Sequence, residues 1–135
     1  MSVFAEATVT HQSTYRGYDI VVVLRKRGSE HFYCGYVRLP EGHVFYGATF
    51  NDYLDINSRL KVHGLVNFFG SLDGFDGYYL GFDCNHGGDD PRVQNEEYTT
   101  RECERMIDQL IELENLEVDK TGSGKGGVVD DEQLF

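Results

Sequence analysis

The ten residues Gly81 to Asp90 read GFDCNHGGDD and gather three carboxylates, a thiol and an imidazole in one glycine-rich turn, directly after the apolar run Tyr78, Tyr79, Leu80. Carboxylates and imidazoles move protons, thiolates attack electrophiles, and all three ligate divalent metals. A plain connection between strands needs none of them, which makes this turn the first candidate for a site. Two further histidines keep similar company: His43 follows Pro40-Glu41-Gly42, and His63 precedes Gly64.

Several chemistries fit these residues. His43, His63, Asp83 and His86 could ligate a divalent metal, the one cofactor the set suggests, with Asp89 as base for a bound water in a small hydrolase. The chain has no CxxC, HExxH or paired HxE and PCxxC spacing, so no known zinc motif supports the idea. Cys84 could be a nucleophile with His63 or His86 as base. Its neighbour Asp83 opposes thiolate formation, and a lone cysteine at a strand exit is ordinarily buried. Gly87 and Gly88 offer amides to a phosphate or carboxylate, with Asp89 and Asp90 acting against an anion unless a cation bridges them. Alternatively, Asp83 and Asp89 simply cap the turn. As a binding rim, the set comprises Glu41, His43, Tyr46, His63, Asp83, His86 and Asp89. Arg16, Arg38 and Arg59, beside a face of tyrosines, could instead cradle a small nucleotide.

The elements that must position these groups are legible in outline. Asp19 to Arg27 and His31 to Leu39 are rich in β-branched and aromatic residues and flank Gly28-Ser29-Glu30, which predicts a hairpin. A shorter strand is expected near residues 3 to 10. His63 to Phe69 and Gly77 to Asp83 flank SLDGFDG and predict a second hairpin, which would bring His63 and Asp83 to one sheet edge. Residues 40 to 62 predict a long loop with one helical turn near Tyr53 to Leu60. Thr99 and Glu102 match a capping box, with Tyr98 placed to staple onto Cys103. After them Cys103, Met106, Ile107, Leu110, Ile111 and Leu113 recur at helical spacing. The expected fold is therefore α+β: an antiparallel sheet of four to five strands covered by one C-terminal amphipathic helix. It forms a single domain over residues 1 to 117, with a glycine-rich linker and acidic tail over 118 to 135. The tail is expected to pack on its own domain or on a second subunit. GSGKGG within it lacks the strand, helix and hydroxyl of a phosphate-binding loop.

Composition narrows the partners. The chain has 135 residues and a net charge of −11, all of it arising after residue 60, which opposes nucleic acid as the main partner. The basic run Arg25-Lys26-Arg27 reads as a solvated strand tip. Three cysteines without paired spacing imply no disulfide framework and a reduced, cytoplasmic setting. No signal peptide or apolar span appears, so no membrane partner is expected.

Taken together, CGYVRLPEGH at 34 to 43, Tyr46-Gly47, VHG at 62 to 64 and YYLGFDCNHGGD at 78 to 89 resemble a family of small uncharacterised proteins of bacteriophages and related mobile elements. Its members share a GYV stretch, a P-x-GH turn, an HGG-type strand start and a GFDC-x-H-x-GD turn, usually before an acidic helix. The resemblance covers residues 15 to 113. It departs where tyrosines replace tryptophans before GFDC, where Val44 replaces a proline and where Leu65 replaces a second glycine. It implies a viral accessory protein, acting in the host cytoplasm on a small polar ligand or a host protein, in a role such as blunting a host defence.

Overall fold

The computed structural model describes residues 7 to 121, with side chains described to residue 116. Five strands form one antiparallel sheet: β1 Ala7–Tyr15, β2 Tyr18–Arg27, β3 Glu30–Leu39, β4 Phe68–Gly70 and β5 Tyr78–Asp83. They lie in the order β1-β2-β3-β5-β4. A 3-10 turn at Phe50–Asp52 leads into α1, Tyr53–Arg59, and the long helix α2 spans Glu96–Thr121. The fold is α+β, as expected. Helix α2 continues past residue 117, where the sequence placed the end of the domain, and the rest of the expected linker and acidic tail, from 122, lies outside the described residues.

Strand periodicity builds two apolar layers. Ile20 and Val22 of β2, Val37 and Leu39 of β3, and Leu80 and Phe82 of β5 point to one face, where Cys103, Met106, Ile107 and Leu110 of α2 cover them. Met106, Ile107 and Leu110 are fully buried, each contributing roughly 2 kcal/mol of apolar transfer. The alternate residues Val21, Val23, Cys34, Tyr36 and Tyr79 face the other way and are covered by Leu72 and Phe75 of the β4 to β5 connection.

Three local readings change. Strand β1 runs on to Tyr15, because Arg16 and Gly17, both at positive φ, make a two-residue hairpin turn that pairs Tyr15 with Tyr18,. His63 opens no strand. It lies in a turn, and β4 begins only at Phe68. Helix α2 starts three residues before Thr99, where Asn95 Oδ1 accepts from the Tyr98 amide at 2.9 Å and acts as the N-cap. Thr99 is thus a buried residue one turn into the helix, and its hydroxyl donates to the Asn95 carbonyl at 2.8 Å.

Candidate functional site

The β5 strand delivers Asp83 to the sheet edge, and the Cys84 amide still donates to the Tyr33 carbonyl at 2.9 Å before the chain turns. Asp83 is then fixed on both oxygens. Oδ2 accepts from Asn67 Nδ2 at 3.0 Å, and Oδ1 lies 3.2 Å from His86 Nε2. The turn closes on itself as the Asp89 amide donates to the His86 carbonyl at 2.9 Å, and the His86 amide donates to Asp89 Oδ2 at 2.9 Å.

The same Asp89 oxygen reaches His63 Nε2 at 2.8 Å. On the far side of that ring, Nδ1 is 2.8 Å from the Tyr98 hydroxyl, and the His63 amide donates to Glu102 Oε2 at 2.8 Å. Residues of the 63 turn, the 84 to 90 turn and the first turns of α2 are thereby joined through one imidazole. Glu102 is held in turn by Arg105, with Nη2 at 2.9 Å from Oε2.

Burial pushes the Asp89 carboxyl upward, but hydrogen bonds from His63 and from the His86 amide outweigh it, and its pKa falls below the ordinary value. The carboxylate accepts only, so Nε2 of His63 carries the proton. In the neutral ring Nδ1 then accepts from the Tyr98 hydroxyl, whose own pKa is raised by burial, with Glu102 close by. The chain Asp89, His63, Tyr98 is ordered like a proton relay. Its terminal phenol is nevertheless held protonated, and the imidazole has no free nitrogen to offer a substrate.

His86 differs. Its side chain is 40 % exposed against 17 % for His63 and 11 % for Asp89, so it is the imidazole that another molecule reaches first. The rings of His63 and His86 stand 5.8 Å apart. His86 lies against the bare Cα of Gly64, where a Cβ would fall 2.1 Å from Nε2. Gly64 sits at φ 71°, and Leu65 beside it at φ 98°, a region that side chains other than glycine enter under strain.

The predicted rim therefore divides. His63, Asp83, His86 and Asp89 come together; His43, Glu41 and Tyr46 do not join them. His43 is 3 % exposed. Its Nε2 donates to the Leu110 carbonyl at 2.9 Å, while Nδ1 accepts from the Phe45 amide at 3.0 Å. Leu110 is two turns along α2 from Glu102, about 12 Å away, and both ring nitrogens are already matched. This is a core histidine. Glu41 and Tyr46 line a separate hollow of about 450 Å³ with Asp19, Arg38 and Gly77. Each of the three arginines is matched by a carboxylate of the same chain: Arg16 pairs with Asp108 at 2.9 Å, Arg38 with Asp19 at 3.6 Å and Arg59 with Asp55 at 3.4 Å.

The metal set is not assembled. Among the described residues no group of three or more His, Cys, Asp or Glu side chains is disposed around a common point. Cys84 also leaves the catalytic set: it is 3 % exposed, its thiol lies 3.8 Å from the Thr99 hydroxyl, and burial pushes its pKa up to about 12. Asp90 turns outward, where hydrogen bonds from the guanidinium and the amide of Arg92 hold its carboxyl down to about 2. The sequence reading missed Tyr98 and Glu102 as site residues. Their four-residue spacing puts them on one side of α2, a signal hidden by taking Glu102 for a cap. Comparison with protein-family models, curated proteins and solved structures returns no match. No helix among the described residues is long and apolar enough to cross a membrane.

Proposed function

We propose that the protein binds rather than catalyses, and that its recognition surface is the rim formed by the 63 to 65 turn and residues 83 to 90. The observation that carries this reading is the engagement of His63 on both ring nitrogens, by Asp89 and by Tyr98. The group best suited to act as a base serves to hold the loop, and the thiol is sealed. What remains outward, His86 with Asn85, Gly87 and Gly88, is suited to hydrogen bonding with a small polar ligand or with the surface of a host protein. The family resemblance supplies the setting: an accessory protein of a phage or mobile element, acting in the host cytoplasm to counter a defence function.

Amide NMR titration with a panel of nucleotides and amino acids, with native mass spectrometry of host-lysate complexes in parallel, tests this reading. Shifts confined to residues 63 to 65 and 83 to 90, lost in His86→Ala at unchanged melting temperature, are expected. Turnover of a substrate abolished by His63→Ala, or stoichiometric metal in protein purified without chelator, would overturn it.

A further inference from the structure

The bonds that His86 makes inside the protein fix what it offers outside. Its Nε2 lies 3.1 Å from the Asp83 carbonyl oxygen and 3.2 Å from Asp83 Oδ1. A carbonyl and a carboxylate only accept, so Nε2 carries the ring proton and Nδ1 of the neutral imidazole is a bare lone pair. That nitrogen has no hydrogen-bond partner among the described residues. The ring atoms nearest the Cβ position of Gly64 are Nε2, Cδ2 and Cε1, which leaves Nδ1 on the edge turned away from the 63 to 65 turn.

The charges around the ring are complementary to a cation. Asp83, at the end of β5, has neutral partners only, the amide of Asn67 and the imidazole of His86. Asp89, in the same turn, accepts from His63 and from the His86 amide. The His63 ring, 5.8 Å from that of His86, is backed by the Tyr98 hydroxyl of α2. Asp90 is neutralised by Arg92. Two carboxylates without a cationic partner make the turn locally negative. A phosphate or carboxylate approaching it meets like charge and, at Nδ1, an acceptor facing an acceptor.

We infer that the rim takes its ligand by a primary ammonium group, of a small amine or of a lysine side chain, which donates to His86 Nδ1 in the negative field of Asp83 and Asp89. The inference rests on the recognition surface proposed above and names the chemistry it selects. Binding needs the neutral ring. Acid that protonates Nδ1 turns the acceptor into a donor, places a positive charge beside the ammonium and releases it.

Butylamine and butyrate, equal in length and opposite in charge, are the probes, with a lysine and a glutamate peptide blocked at both termini as a second pair. Long-range proton-nitrogen NMR of the free protein in mildly alkaline solution is expected to find the His86 proton on Nε2 and Nδ1 bare, a measurement that needs no variant. Butylamine or the lysine peptide is expected to shift the His86 ring and amides of residues 83 to 90, and to dissociate as acid titrates that ring. Binding is expected to weaken about tenfold in His86→Phe, whose melting curve checks its fold, while butyrate and the glutamate peptide leave the rim unmoved. Binding of the lysine peptide alone assigns the ammonium to a protein partner, and binding of butylamine shows that a free amine suffices. A proton on Nδ1, silence toward both ammonium probes, butyrate bound at the rim, binding strengthened by acid or indifference to His86→Phe would overturn the inference while leaving the rim a recognition surface for another ligand. No shift at the rim with any probe, nucleotides and host lysate included, would overturn the rim reading together with it.

Discussion

His63 Nε2 and Asp89 Oδ2, from residues 26 positions apart in the chain, stand 2.8 Å from each other with little water access. Replacing Asp89 by alanine removes a charge-assisted bond to His63 and a second from the His86 amide. A loss of about 2 kcal/mol is expected in urea denaturation near neutral pH.

The loss should depend on acidity in a defined direction. Folding lowers the Asp89 pKa below its ordinary 3.8, so its stabilising contribution is complete above that value and fades as the pH falls through the depressed one. Melting curves of the parent and Asp89→Ala are expected to differ above pH 4 and to converge toward pH 2. A gap that widened on acidification would show that Asp89 is not held as a carboxylate.

Gly64→Ala and Leu65→Gly are expected to act in opposite directions. Alanine at 64 meets both a positive φ and the His86 ring, costing about 2 kcal/mol and displacing the imidazole, which the His86 ring resonances would report. Glycine at 65 relieves the strain of a leucine at φ 98°. After the extra entropy of an unfolded glycine, about 1 kcal/mol of stabilisation remains, or roughly 3 °C in Tm.

His43→Ala should cost about 3 kcal/mol, since it opens a cavity and removes two buried hydrogen bonds. The titration behaviour of the rim should remain as in the parent. Changed rim binding in a variant that still folds would contradict the separation of His43 from that surface.

The thiols offer a kinetic check. Cys34, Cys84 and Cys103 are all buried, with burial pushing Cys34 up to about 11 and Cys84 to about 12. A disulfide reagent at about pH 8 is expected to label none of them in the folded protein and all three in denaturant. Rapid native labelling of Cys84 would restore it as a nucleophile.

Much of the frame was legible because strand period and composition agree. The β-branched run through Ile20 to Val23 predicted β2, the Gly28-Ser29 turn predicted its hairpin, and the spacing of Cys103, Met106, Ile107 and Leu110 predicted the covering helix. The strand from Gly77 was off by one residue, and the helical turn near Tyr53 was found as α1. Errors arose where a local motif competed with a tertiary partner. Thr99 and Glu102 have the spacing of a cap, yet Asn95 caps the helix and Glu102 turns to the His63 amide. Arg16 at positive φ carries no sequence signal at all, so the end of β1 was hidden. The second hairpin led to the expectation of His63 beside Asp83; His63 instead lies in the turn before β4, and the carboxylate it meets is Asp89, six residues further on. The contacts of His63 with Tyr98 and Glu102 span 35 and 39 positions, and those of His43 with Leu110 span 67. No spacing rule reaches across such separations.

A single ring linking three stretches of chain also means that they cannot fray one at a time. Amides of the 63 turn, the 86 to 89 turn and the opening of α2 should exchange with deuterium together, as one opening unit. Anything that grips the outer histidine would then slow exchange in a helix it never touches, and occupancy at one end of the molecule would be felt along its length.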